Sequence, residues 1–142
     1  MSSNPLPPAG PEQGQRERTE QIARLNDDTR QGKARRSRIL FTRGVVELLA
    51  EGQAEEPART ARIMINQERL MRQMRQIADA PIDPGDEPYG ERDFGVVTFL
   101  GERLYWKIDA YADDGSFSFG SDTPWDASVT IRVLTILQPC EY

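Results

Sequence analysis

The sequence predicts an α+β fold: a small antiparallel sheet of three to five strands packed against one long helix, behind a disordered N-terminal tail. Three observations predict it. Between Glu56 and Asp79, apolar residues fall at Ala61, Met64, Ile65, Met71, Met74, Ile77 and Ala78, the spacings of three and four that one buried helical stripe requires. From Arg103 to Tyr111, Leu104, Trp106 and Ile108 alternate with Arg103, Tyr105, Lys107 and Asp109, a period of two with one apolar face. The run Val129 to Leu137 is β-branched and apolar; it reads as a core strand or, entered after Asp126, as a helix.

The elements follow in chain order. Residues 1–15 hold four prolines, two glycines and little apolar mass, which predicts a disordered tail; residues 16–142 then form one domain. RERTEQIARLNDDTRQG (16–32) carries only Ile22, Ala23 and Leu25 as a thin apolar stripe, so a helix there is expected on the surface of the core. Ile39 to Thr42 reads as a short strand, and Val45 to Leu49 as a helical turn. Pro57 suits the first turn of the long helix, and Ala80-Pro81 its end. Residues 80–92 are a loop of three prolines and two glycines. Phe94 to Leu100 and Arg103 to Tyr111 make a hairpin about Gly101-Glu102. Ser116 to Phe119 is a candidate third strand of that meander.

Composition narrows the chemistry. An apolar share of 37% and a charged share of 29% suit a soluble globular chain of one domain. No apolar stretch reaches the length of a membrane span, and the first residues lack a basic start and an apolar core, so no secretory signal is expected. The single cysteine, Cys140, fits a reducing, cytoplasmic compartment and excludes an internal disulfide. It has no neighbouring base and reads as inert. Histidine is absent, which removes Ser-His-Asp and Cys-His activation and imidazole metal ligands. Catalysis would have to use carboxylates, lysine, tyrosine or an oxygen-ligated Mg or Mn ion, which weighs against an enzyme.

The net charge of −5 hides a split: residues 1–78 sum to +4 and residues 79–142 to −9. Glu91, Asp93, Asp109, Asp113, Asp114 and Asp122 lie in or beside turns between the expected strands. Clustered strand ends could hold a hard divalent cation there, with Lys107 stabilising charge, but the spacing matches no nuclease motif. Asp and Ser are also ordinary turn formers. The DFG triplet at 93–95 lacks every other kinase element. Arg35, Arg36 and Arg38, with Arg62, Arg69, Arg72 and Arg75 on the long helix, could follow phosphates, or stay hydrated and paired with nearby Glu. Phe94, Phe99, Trp106 and Ile108 are expected in the core. Tyr89, Tyr105, Tyr111 and Trp125 are the aromatics expected toward partners. The methionines 64, 71 and 74 read as adaptable core filler.

IARLND (22–27), LFTRGV (40–45), PYGERDFG (88–95), WKIDAY (106–111), GSDTP (120–124), RVLTI (132–136) and the final Glu141-Tyr142 occur in one order. That series resembles a family of alphaproteobacterial proteins of unknown function, DUF3768, from about residue 20 to the C-terminus. The family usually has histidine where this chain has Arg92, so no histidine chemistry transfers to that loop. The resemblance implies no activity. It implies a context on plasmids and integrative elements, beside small genes thought to counter host defences.

The expectation is therefore a non-enzymatic cytoplasmic binding protein, an accessory or anti-defence factor of a mobile element. It would dock an acidic face on a host nucleic-acid-handling protein through Tyr89, Glu91, Asp93, Asp109, Tyr111, Asp113, Asp114 and Asp122, by charge complementarity. No catalytic residue, metal or cofactor is assigned. The alternatives are a carboxylate- and Mg-dependent enzyme acting on nucleic acid through the same acids, or a direct nucleic-acid binder using Arg35, Arg36, Arg38, Arg62, Arg69 and Arg72.

Overall fold

The computed structural model describes residues 11–77 and 90–142. Three helices and four strands follow one another: α1 (Pro11–Arg30), β1 (Ser37–Phe41), α2 (Arg43–Ala50), α3 (Ala58–Gln76), β2 (Phe94–Phe99), β3 (Glu102–Ala112) and β4 (Thr130–Leu137), with a final 3-10 turn at Pro139–Glu141. The α+β class is as expected, and the segment left open between strand and helix is β4. Helix α1 begins at Pro11, inside the stretch expected as tail; residues 1–10, and the expected end of the long helix at 78–81, lie outside the described residues.

Two features of the architecture differ from expectation. The sheet is mixed, in the order β1-β4-β3-β2, with β1 parallel to β4 and the other neighbours antiparallel. A five-residue strand carries no local signal of its direction; β1 is aligned with β4 by everything between them, two helices and a hairpin. The helical layer is also not one long helix. All three helices contribute to one face of the sheet.

The hairpin explains its own register. Phe99 and Glu102 face each other, leaving Leu100 and Gly101 as a two-residue turn with φ of 51° and 77°. Positive φ at both positions is the I′ geometry that matches strand twist, so the turn closes one residue earlier than the sequence suggests. Ser116 to Phe119 is no strand. Asp114 instead accepts hydrogen bonds from the Ser116 backbone N–H and hydroxyl at 2.8 and 2.7 Å, and only a single bridge, Tyr111 to Gly120, joins this loop to the sheet.

The core lies between the sheet and α2 and α3: Val45, Leu49, Leu70, Met71 and Met74 meet Val97, Phe99, Leu104, Trp106, Ile108, Leu134 and Ile136. Helix α3 is turned from the expected phase. Its buried positions are Asn66, Leu70, Met71 and Met74, while Met64 and Ile65 are 62% and 55% exposed and Ala61 is exposed too. A polar residue caused the displacement: buried Asn66 donates to the Leu49 carbonyl at 2.8 Å and to Glu51 Oε1 at 2.7 Å. It thus satisfies a carbonyl that the end of α2 leaves without an intrahelical partner.

The other end of α2 is capped at a distance. Glu141 accepts from the Thr42 hydroxyl at 2.6 Å, the Gly44 N–H at 3.0 Å and the Gln138 N–H at 2.9 Å. Its carboxylate supplies the acceptor that Thr42 itself does not. These bonds, the Thr42 hydroxyl foremost, hold the Glu141 pKa below its ordinary value, and they tie the C-terminal turn to the start of α2.

Helix α1 is docked rather than superficial, and it docks through polar groups. Ile22 and Ala23 are buried, but so are Asn26, Asp27, Thr29 and Arg30. Arg30 donates to the carbonyls of Met74 at 3.2 Å and Ile77 at 2.8 Å, capping the end of α3. Asn26 accepts from Arg132 Nε of β4 at 2.9 Å and donates to the Glu91 carbonyl at 2.9 Å. A period search for apolar residues misses such a face, because what it buries is hydrogen-bonded.

Candidate functional site

Because the helices share one face, the opposite face of the sheet carries the remaining chemistry. Strand alternation places Arg38 and Leu40 of β1, Val133, Thr135 and Leu137 of β4, Tyr105, Lys107, Asp109 and Tyr111 of β3, and Phe94 and Val96 of β2 on that side. They line an open groove of about 1060 Å³ together with Asp93, Phe117, Glu141 and Tyr142. The expectation that Phe94 belongs to the core is corrected here. Phe94 and Phe99 are five residues apart, so one strand must point them to opposite faces, and it is Gly95 that faces the core opposite Trp106.

The aromatic rings form two groups. Phe94, Tyr105 and Tyr142 meet edge to face, with centroids 5.2 to 5.9 Å apart. Tyr111 packs on Phe117 at 5.9 Å, and the Arg38 guanidinium lies over the Phe117 ring at 4.8 Å. Arg103 lies 5.8 Å from the Tyr105 ring. Valine, leucine and aromatic carbons make the floor, and charges of both signs stand on it: Arg38, Arg103 and Lys107 against Asp93, Asp109 and Glu141. Lys107 and Asp109 pair at 3.3 Å.

Asp93 is the misfit on this face. Half-buried just before β2, it has its pKa raised by burial and, further, by the nearby Asp109 carboxylate. A raised value means the folded state favours the protonated form. Stability from this group is therefore present below about pH 4 and is lost as pH rises through the folded-state value. Asp93→Asn should accordingly melt about 2 °C above the parent at pH 7, with the difference gone at pH 3, as thermal melts followed by circular dichroism would show. Partners that bring a cation to Asp93 would relieve the same cost.

The expected acidic residues do not form one face. Asp93, Asp109 and Tyr111 come together in the groove. Glu91 points to the helical side, where burial and Asp93 raise its pKa and Arg132 lowers it. Asp113 pairs with Arg36 at the far end of β3, Asp114 closes its turn with Ser116, and Asp122 is exposed in the loop before β4. Tyr89 lies outside the described residues. Trp125, expected to face partners, is half-buried with the Arg18 guanidinium 4.5 Å above its ring. Among the described residues, no group of three or more His, Cys, Asp or Glu stands close enough to hold a metal ion.

The arginines expected on phosphates are divided too. On α3, Arg62 reaches Glu51 at 3.6 Å, Arg72 reaches Glu68 at 4.0 Å, and Arg69 donates to Asn66 at 3.2 Å. Arg35, Arg36 and Arg38 lead into and along β1, with Arg38 on the groove. Residues missing from the expected site are Arg103, Lys107, Phe94, Phe117 and Tyr142. The alternation of β3 placed the first two on the polar face, and only the tertiary fold brings Phe117 and Tyr142 to it.

Glu91 and Arg92, in the described part of the PYGERDFG series, act as a clasp. Arg92 grips Asp27 of α1, with Nε 3.0 and 3.1 Å from the two carboxylate oxygens and Nη2 2.7 Å from one of them. Asn26 binds the next carbonyl, that of Glu91. The Arg92 guanidinium and the Glu91 carbonyl fasten α1 beside the sheet. No helix among the described residues is long and apolar enough to cross a membrane. No curated protein matches this chain, and no solved structure does. A family model described as "Protein of unknown function (DUF3768)" matches residues 41–141, from the end of β1 through the C-terminal turn that borders the groove, and the chain belongs to that family.

Proposed function

We propose that this chain is a non-enzymatic binding protein whose open sheet face docks on a partner protein. The observation that carries the reading is the composition of that face: five aromatic rings and three charges of each sign over an apolar floor. Tyr and Arg concentrate at the energetic centres of protein interfaces. The charges balance, which suits a protein surface of mixed sign better than a polyanion, whose binding rests on excess positive charge. The acid-rich docking expected from composition contracts in this reading to Asp93 and Asp109, set to take a basic side chain of the partner. The genetic context implied by the family favours a host nucleic-acid-handling protein as that partner.

The test is a photo-crosslinking amino acid at position 105, compared with one at position 62 on the outer side of α3. A single partner should crosslink from 105 and not from 62. Its affinity, measured with the purified partner, should fall by at least about tenfold in Tyr105→Ala while the melting temperature of the variant stays near the parent's. Equal crosslinking from both positions, or an affinity indifferent to Tyr105, would remove the open face from the function.

A further inference from the structure

Strand β1 ends the sheet, and no strand pairs with its outer edge among the described residues. The Arg132 N–H donates to the Arg36 carbonyl at 3.3 Å, and the Thr42 N–H to the Ile136 carbonyl at 3.0 Å. Backbone direction alternates along a strand, so Arg36, Arg38, Leu40 and Thr42 spend their backbone groups on β4. Ser37, Ile39 and Phe41 then turn their N–H and C=O groups to the free edge, where no strand pairs among the described residues. Such an edge is a template for strand addition unless it is blunted by proline, a bulge, a cover or charged side chains. Strand β1 contains no proline, and its one charged side chain, Arg38, lies over the Phe117 ring on the open face.

We propose that this edge takes up an extended acidic segment of a partner polypeptide as a fifth strand. Two further observations specify the occupant. Between β1 and α3 runs a groove of about 270 Å³ lined by Ile39, Phe41, Met64, Gln67, Glu68 and Met71. Met64 is 62% exposed beside it. An added strand would send every second side chain into this groove, so those positions are apolar. The intervening side chains would lie on the other sheet face, beside exposed Leu40 and the Arg38 guanidinium. Arg35 and Arg43 stand at the two ends of β1, exposed and without a hydrogen bond or ion pair among the described residues. Acids alternating with apolar residues match that setting.

The same charges disfavour a second copy of this chain. Antiparallel self-pairing centred on Ile39 would set Arg35 opposite Arg43 of the other copy at both ends, and like charges directly opposite are destabilising. The edge is a different surface from the aromatic centre of the open face, so the two proposals fail separately.

The probe is a fluorescein-labelled peptide of alternating Glu and Val, titrated against the full chain and followed by anisotropy. It should bind, and a Lys-Val peptide of the same length should bind at least about tenfold more weakly. The Arg35→Glu, Arg43→Glu double variant should weaken the Glu-Val peptide by at least about tenfold and leave the circular dichroism spectrum unchanged. N-methylating alternate amides of the peptide discriminates strand addition without altering the protein: one register should abolish binding and the other should leave it within about twofold. Tyr105→Ala should bind the peptide as the parent does. Equal effects of both N-methyl registers, equal affinity for the Lys-Val peptide, or no binding up to millimolar peptide would each overturn the proposal. So would a concentration-dependent dimer in sedimentation velocity that survives the double charge reversal, because the edge would then belong to a second copy.

Discussion

Gly95→Ala should destabilise the fold by about 3 kcal/mol, the upper end of what overpacking costs. Gly95 sits opposite Trp106 in the β2–β3 register, and a Cβ built there would lie 2.6 Å from the indole Nε1 and closer still to two ring carbons. Real Cβ atoms do not come that near a ring. Nor can the ring swing away, because Trp106 is 3% exposed and wedged among the core side chains. Its Nε1 hydrogen finds no acceptor among the described residues, so the indole is held by packing alone, with the Arg30 guanidinium 5.8 Å from the ring. The strain has a specific cure. In a Trp106→Leu background, itself destabilised by the lost ring, Gly95→Ala should add less than about 1 kcal/mol. Urea titration of the four proteins measures the coupling; additive costs would show that the glycine matters for its backbone and not for the ring it cradles.

The Trp106 contact also shows what a sequence can and cannot disclose. The alternation of Leu104, Trp106 and Ile108 announced β3 and its inner face, and both are found as read, because a strand half-covered by a core must alternate. Parity alone showed that Phe94 and Phe99 cannot share a face; that Gly95 meets Trp106 followed from the hairpin register. Direction and layer assignment were not legible. Nothing within SRILF states that β1 runs parallel to β4, and nothing in Met64-Ile65 states that the helix turns them outward. Those outcomes depend on Asn66 finding the Leu49 carbonyl and on α1 covering the rest of the sheet. The candidate groove was half legible. Asp93, Asp109 and Tyr111 were singled out, whereas Phe117 and Tyr142 reach it through loops whose paths only the tertiary structure defines. Acidic count misled, because Glu91 and Asp93 precede β2 in a loop that Arg92 turns at a φ of 53°. Strand alternation does not govern them, and one lies beside Arg132 while the other lines the groove.

Arg132→Met should cost about 3 kcal/mol, lowering the melting temperature by about 10 °C. Arg132 is 3% exposed at the centre of the polar contact between α1 and the sheet. Its Nε donates to Asn26 Oδ1 at 2.9 Å and its Nη2 to the Pro124 carbonyl. Burial lowers its pKa, and the Glu91 carboxylate raises it in part. Methionine fills much of the same volume, so the loss is electrical: buried Asn26 Oδ1 and the half-buried Pro124 carbonyl are left without this donor, and Glu91 loses the cation that lowers its pKa. Unmade buried bonds cost more than made ones contribute. Replacing both partners should therefore recover part of the loss. Asn26→Leu alone removes the acceptor from Arg132 and the donor from the Glu91 carbonyl, and it should cost about 2 kcal/mol. In the Asn26→Leu, Arg132→Met double variant the two losses should sum to less than their total by about 1 kcal/mol or more. A strictly additive pair in urea titration would mean that α1 is held by its apolar residues and by the Arg92–Asp27 clasp, with the buried Arg132 bond contributing nothing of its own.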